Sequence, residues 1–248
     1  KRMITIRESY RNEDMDKALE SAKWLTENHP ESYESFIWLG QVQSDRYELE
    51  EAIKAFDEAL TIKPDYAEAY YNKGNALLDQ DRLEEAVGAF EKSISFHADY
   101  VDAYNNLGNA LRRQDKPDEA IKAFNKALLI TPDIAEIHNN IGVTYQDQGK
   151  SEQALNAFRK ALKIDPLHAD ANLNLSRIIK YSLDNHHFLQ LRAIYYQSVL
   201  DDTIKCKLSF ALAKMYEDVG EYEKALAYLN EGNSIRKKQL GYTRSKDQ

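Results

Sequence analysis

The chain has 248 residues, 33 basic and 41 acidic side chains, a net charge of −8, one cysteine and 43% hydrophobic residues. So much apolar side chain can bury a core and excludes wholesale disorder. The negative balance argues against a nucleic-acid binder, the lone Cys206 excludes an internal disulfide or a cysteine-based zinc site, and no run nears the ~18 apolar residues of a membrane helix. Lys1 to Tyr10 lack the apolar region of a signal peptide, and the absence of an initiator Met suggests an internal fragment. The expectation is a cytoplasmic protein.

Along the chain, Pro30, Pro64, Pro132 and Pro166 keep steps of 34 residues or twice that, with Ala98 at the missing rung. Gly40, Gly74, Gly108 and Gly142 keep the same step, as do Ala52, Ala86, Ala120 and Ala154, and Phe56, Phe90, Phe124 and Phe158. A 34-residue period in four residue types predicts stacked helix pairs. In each pair the first helix carries a stripe such as Tyr104, Leu107, Gly108 and Leu111, spaced i, i+3, i+4, i+7. A polar break follows, Pro117 opens the second helix, and Pro132 ends it. Small residues such as Gly108 and Ala120 let the two helix axes approach to ~8–10 Å.

A partial repeat over 1–32 is followed by repeats at 33–66, 67–100, 101–134 and 135–168 and the first helix of the next at 169–182, together a solenoid over 1–182. Residues 183–205 keep apolar Phe188, Leu189, Leu191, Ile194 and Val199 but lose the lattice, which predicts an irregular helical junction packed on the solenoid. The pattern returns as a helix pair over 206–240, with Leu212, Ala213, Tyr216, Gly220, Ala225 and Leu229. Gly241 is a candidate helix cap, and 241–248 form a tail.

Leu107-Gly108, Leu111, Ala120, Phe124, Ala127 and Pro132 resemble the tetratricopeptide repeat (TPR) consensus almost completely. The resemblance implies an all-α fold, a right-handed superhelix of antiparallel helix pairs whose first helices line a concave groove for peptides or proteins. A narrower resemblance, to the repeat region of bacterial TPR-sulfotransferases, rests on Asn174-Leu175-Ser176-Arg177, on 208–214, on 216–222 and on Glu231-Gly232-Asn233. It implies the repeat arm of an enzyme whose catalytic half and phosphate loop are absent from these residues.

The candidate site is a row of asparagines. Asn72, Asn106, Asn140 and Asn174 take position 6 of successive units, with Asn75 and Asn109 at position 9. Positions 2, 6, 9 and 13 share one stripe of the first helix. Asparagine inside a helix is less favourable than alanine by about 0.5–0.7 kcal/mol, and its amide can donate to and accept from any peptide unit. The row resembles the amide ladder of O-linked N-acetylglucosamine transferases, yet Asn at this position also occurs in TPRs without such a role, and both readings stand. Trp38 and Tyr181 flank the row, as ligand contacts or as residues partly buried between helices. Glu34, Glu68, Asp102, Glu136 and Asp170 sit at position 2, where Asp65, Asp99 and Asp133 suggest capping boxes. Position 5 holds Ile37, Tyr71, Asn105, Asn139 and Leu173, so the basic clamp that grips acidic C-terminal tails is absent. His186 and His187 are adjacent and point ~100° apart on a helix, a poor metal pair. Arg236, Lys237, Lys238, Arg244 and Lys246 suit a helix C-terminus or a following domain.

No catalytic motif, metal site or cofactor is expected. The predicted function is a protein- or peptide-binding scaffold with no nucleic-acid or membrane partner. The alternatives are the positioning arm of a sulfotransferase and a self-association module acting through the end repeats.

Overall fold

The computed structural model describes residues 6, 8, 9, 12, 14–197 and 199–241. Thirteen helices run between Met15 and Gln239, and the described residues contain no strand. The chain divides into two compact units, 1–132 and 133–248.

Unit one holds α1 (Met15–Asn28), α2 (Tyr33–Asp45), α3 (Leu49–Ile62), α4 (Ala67–Asp79), α5 (Leu83–Phe96), α6 (Val101–Arg113) and α7 (Pro117–Ile130). Short turns fold α2 onto α3, α4 onto α5 and α6 onto α7. The lattice has a steric cause. Phe56, Phe90 and Phe124 are fully buried, and each ring lies against the glycine sixteen residues before it. A Cβ on Gly40, Gly74 or Gly108 would stand 2.5, 2.6 or 2.5 Å from that ring. The glycine therefore makes room for an aromatic ring, a sharper requirement than the approach of two helix axes.

One slot per repeat also demands left-handed backbone. Tyr47, Asp81 and Asp115 have φ of 60°, 60° and 59° in the turns between paired helices. Only glycine adopts that region without strain, and Asp tolerates it better than Tyr.

Helix starts correct one expectation. The N-caps of α4 and α6 are Tyr66 and Tyr100, neither with a side-chain cap bond, so the capping boxes from Asp65 and Asp99 do not form. Instead the Tyr66 hydroxyl donates to Glu68 Oε2 at 2.6 Å. Acidic residues in the first turn still complement the helix dipole.

Unit two holds α8 (Ala135–Asp147), α9 (Ser151–Ile164), α10 (Ala169–Ile178), α11 (His186–Gln197), α12 (Asp202–Asp218) and α13 (Tyr222–Gln239). The pair α8–α9 repeats the glycine–phenylalanine contact, with a Cβ on Gly142 placed 2.5 Å from Phe158. The N-cap of α8 is Ile134, so the box from Asp133 is absent as well. α10 has 10 residues and ends where Ile179 turns extended. Asn185 Oδ1 then accepts from the backbone N–H of His187 and Phe188 at 3.0 and 3.3 Å, opening α11.

Phe188, Leu191 and Tyr195 of α11 are buried in one core with Leu208, Leu212 and Tyr216 of α12, while Leu189 and Val199 are exposed. The Phe188 and Tyr216 rings meet edge to face at 5.0 Å. α12 starts at Asp202, inside the stretch expected as junction, because Asp201 accepts from the N–H of Thr203 and Ile204. The last turn of α13 carries Arg236, Lys237 and Lys238, and Lys238 pairs with Asp202 at 3.1 Å. Gly241 has φ of 63°, as a cap requires. Arg244 and Lys246 lie outside the described residues.

Candidate functional site

In unit one, α2 and α4 flank a concave cavity of about 840 Å³. Trp38, Gln41 and Asp45 of α2 face Asn72, Asn75 and Asp79 of α4 across it, and Tyr47 stands at its edge, 81% exposed. These are positions 6, 9 and 13 of two successive first helices. The i, i+3, i+7 spacing puts them on one face.

The asparagines divide by what their amides meet. Asn72 Nδ2 is buried and has no hydrogen-bond partner in the structure. An unpaired buried donor is unfavourable by about 1–3 kcal/mol, so it marks a place where an acceptor would be gained. Asn75 also lines the cavity, and its Oδ1 accepts from Asn106 Nδ2 at 2.8 Å. Asn106 Nδ2 lies 3.3 Å from the Tyr71 hydroxyl, and its Oδ1 accepts from Asn105 at 3.3 Å. Asn106 thus fastens α6 to α4 and orients Asn75. Asn109 is half-buried on α6.

In unit two, Asn174 Nδ2 donates to Asn139 Oδ1 at 3.1 Å, again joining two first helices. Asn140 is 9% exposed, and its amide is among the groups that hold Glu136 below the usual carboxylate range, after His168. Tyr181 is 4% exposed in the core, where its hydroxyl meets His187 at 2.8 Å. Asn140 and Tyr181 are therefore corrections to the expected groove-facing set: neither presents an open side chain to a ligand.

Asp45, Asp79 and Gln41 belong to the same stripe as the asparagines, so their spacing could have identified them. Tyr47 had no such signal, because its place depends on a left-handed turn that the sequence does not mark with glycine. Among the described residues no Lys or Arg lines the cavity. Its electrostatics are those of two carboxylates near a buried amide donor.

Among the described residues no group of His, Cys, Asp and Glu is placed to hold a metal ion, and no helix is long and apolar enough to cross a membrane.

Tetratricopeptide repeat profiles match residues 65–130, 99–166 and 207–239, and a TPR repeat profile matches 40–81. Together these take in more than half of the chain. No curated protein matches the sequence. Among solved structures, that of MamA is 28% identical with a TM-score of 0.60, covering 64% of this chain and 93% of MamA. YrrB, described as a TPR protein with an unusual peptide-binding site, is 23% identical with a TM-score of 0.56, covering 85% of this chain and 98% of its own. PilF of Pseudomonas aeruginosa is 20% identical with a TM-score of 0.60, covering 84% and 91%. At those two identities the likeness concerns the fold.

Proposed function

We infer, for a chain that belongs to the tetratricopeptide-repeat family, a protein-binding scaffold whose unit-one groove holds an extended peptide. The observation that carries this is Asn72, whose buried Nδ2 lacks an acceptor, whereas the Asn106 amide next to it donates to Asn75 Oδ1. Turned from its buried position into the cavity that its residue lines, this amide would take a peptide carbonyl as that acceptor. Trp38 offers an apolar wall, and Asp45 and Asp79 favour Lys or Arg in the peptide. Each such hydrogen bond contributes about 0.5–1.5 kcal/mol net, so affinity requires several together. Extended chain advances about 3.3 Å per residue, which lets amides on α2 and α4 hold peptide groups a few residues apart. The groove binds and positions.

The reading as a sulfotransferase's positioning arm rests on the motif resemblance alone, and self-association through end repeats on no particular contact. Neither gains a supporting observation from the site.

The test is a library of extended peptides screened against the whole chain. Peptides with Lys or Arg should be enriched. Asn72→Ala should weaken the best of them by about 2- to 12-fold. It should also raise the melting temperature, since it removes an unpaired buried donor and a poor helix former. Unchanged affinity in Asn72→Ala, with the fold intact, would end the proposal.

A further inference from the structure

Unit two contains a second cavity, of about 500 Å³, where α9, α10 and the start of α11 meet. Its floor is apolar, made by Leu162, Leu175 and Ile179, and its rim carries Arg159, Lys163 and His186. Among the described residues no carboxylate lines it. Arg159 and Lys163 are four residues apart on α9, so both heads lie on one helix face. Neither is paired with a carboxylate among the described residues, whereas Lys205, Lys207 and Lys214 are held by Glu231, Asp170 and Asp218. In a chain of net charge −8, two unneutralised cations over a concave apolar floor reverse the global sign locally.

The wall behind them is fixed by hydrogen bonds between neutral side chains. Asn172 Nδ2 donates to the carbonyls of Pro166 and His168, both at 3.0 Å, which leaves its Oδ1 to accept from His187 Nε2 at 2.8 Å. His187 Nδ1 then accepts from the Tyr181 hydroxyl at 2.8 Å. With Nε2 donating, Nδ1 can accept only in the neutral imidazole. Burial pushes the His187 pKa down to about 4, with the nearby charges of Arg159 and His186 acting in the same direction. That electropositive surrounding is the one an incoming anion would meet.

We propose that this cavity binds a small organic anion, its carboxylate, phosphate or sulfonate head between Arg159 and Lys163 and a ring-sized apolar body on the Leu162–Leu175–Ile179 floor. The volume lies within the ~300–1,000 Å³ range of small-molecule sites. A bare inorganic anion would engage the rim and leave the floor wet. A neutral ring would cover the floor and leave both cations without a counter-charge. Only a molecule with both parts uses the whole cavity.

The probe is 1-naphthyl phosphate, titrated calorimetrically into the whole chain. One saturable site is expected, with inorganic phosphate and 1-naphthol each at least about tenfold weaker. Arg159→Gln and Lys163→Gln should each weaken binding about five- to tenfold, since each removes a charged hydrogen bond from an exposed position. Lys160→Gln, an exposed neighbour outside the cavity, should leave it unchanged. Failure to saturate, equal binding of 1-naphthol, or an equal loss in Lys160→Gln would each overturn the proposal. None of these outcomes bears on Asn72, which lies in the other unit.

Discussion

Residues 33–168 and 169–241 are made of the same kind of element but are held together differently. In the first stretch each pair closes on one contact, a buried phenylalanine ring against a glycine with no room for a Cβ. In the second, Ser176 takes the glycine slot, and order comes from a broader aromatic core of Phe188, Tyr195, Tyr216 and Tyr228. Gly232 is the nearest analogue, yet the gap from its would-be Cβ to the Phe210 ring is 3.0 Å, not 2.5 Å. A repeated single contact gives a period that can be counted in the sequence. A distributed core gives burial without a period. Periodicity and packing quality are thus separate properties of one chain.

The largest effect that could break this comparison is at the glycines. Gly108→Ala would press a methyl into the Phe124 ring and should destabilise the protein by about 1–3 kcal/mol despite the gain in helix propensity. Gly88→Ala, on α5 with nothing within 4 Å of the new methyl, should stabilise by about 0.5–1 kcal/mol. Chemical denaturation of both variants checks the signs. If Gly108→Ala were neutral, the ring contact would not be what fixes the lattice.

The same contrast explains what could be read from the sequence. The helix pairs over 33–168 were legible because Gly, Ala and Phe mark fixed steric slots. α11 was legible as a helix from Phe188, Leu191 and Ile194, but the early start of α12 at Asp202 was not, since it depends on a local cap by Asp201. The asparagine row was legible as a face and not as a set of contacts. An amide has two ends, and only coordinates show that Asn106 turns toward Asn75 while Asn72 Nδ2 stays unpaired. The cationic cavity joins a regular helix to an irregular segment, so the i, i+4 pair Arg159 and Lys163 was legible as a face, but the floor of Leu175 and Ile179 and the rim of His186 beside it were not.

A smaller effect sharpens the comparison at the turns. Tyr47, Asp81, Asp115 and Gly149 hold one left-handed slot in four successive repeats. Tyr47 is the worst fitted, because a bulky side chain gains nothing locally from positive φ. Tyr47→Gly should relieve up to about 1 kcal/mol, reduced by the extra freedom glycine gives the unfolded chain. Asp81→Gly and Asp115→Gly should gain less. If Tyr47 also touches a peptide, Tyr47→Gly will raise the melting temperature and weaken binding together, and calorimetry on the same variant reads both.

The smallest effect is electrostatic and belongs to the start of α10. His168 Nδ1 accepts from the Ala171 N–H at 3.2 Å as an N-cap, and its Nε2 lies 2.9 Å from Glu136 Oε2. The Glu136 carboxylate raises the His168 pKa, and His168 holds the Glu136 carboxyl below its usual range. The stability from the raised His168 is fully present below its unfolded pKa of about 6.5 and disappears as pH rises through the folded value. The stability from the lowered Glu136 is present above its unfolded pKa of about 4.3 and disappears as pH falls through its own folded value. The pair is therefore strongest between about pH 4.5 and 6.5. Two features keep it small. The Glu136 side chain is half exposed and screened by water, and a protonated Nδ1 can no longer accept from Ala171. Glu136→Gln should thus destabilise by less than about 1 kcal/mol at pH 5.5 and by less still at pH 8. An equal loss at both pH values would mean that the cap keeps the imidazole neutral throughout, making the contact a plain hydrogen bond rather than an ion pair.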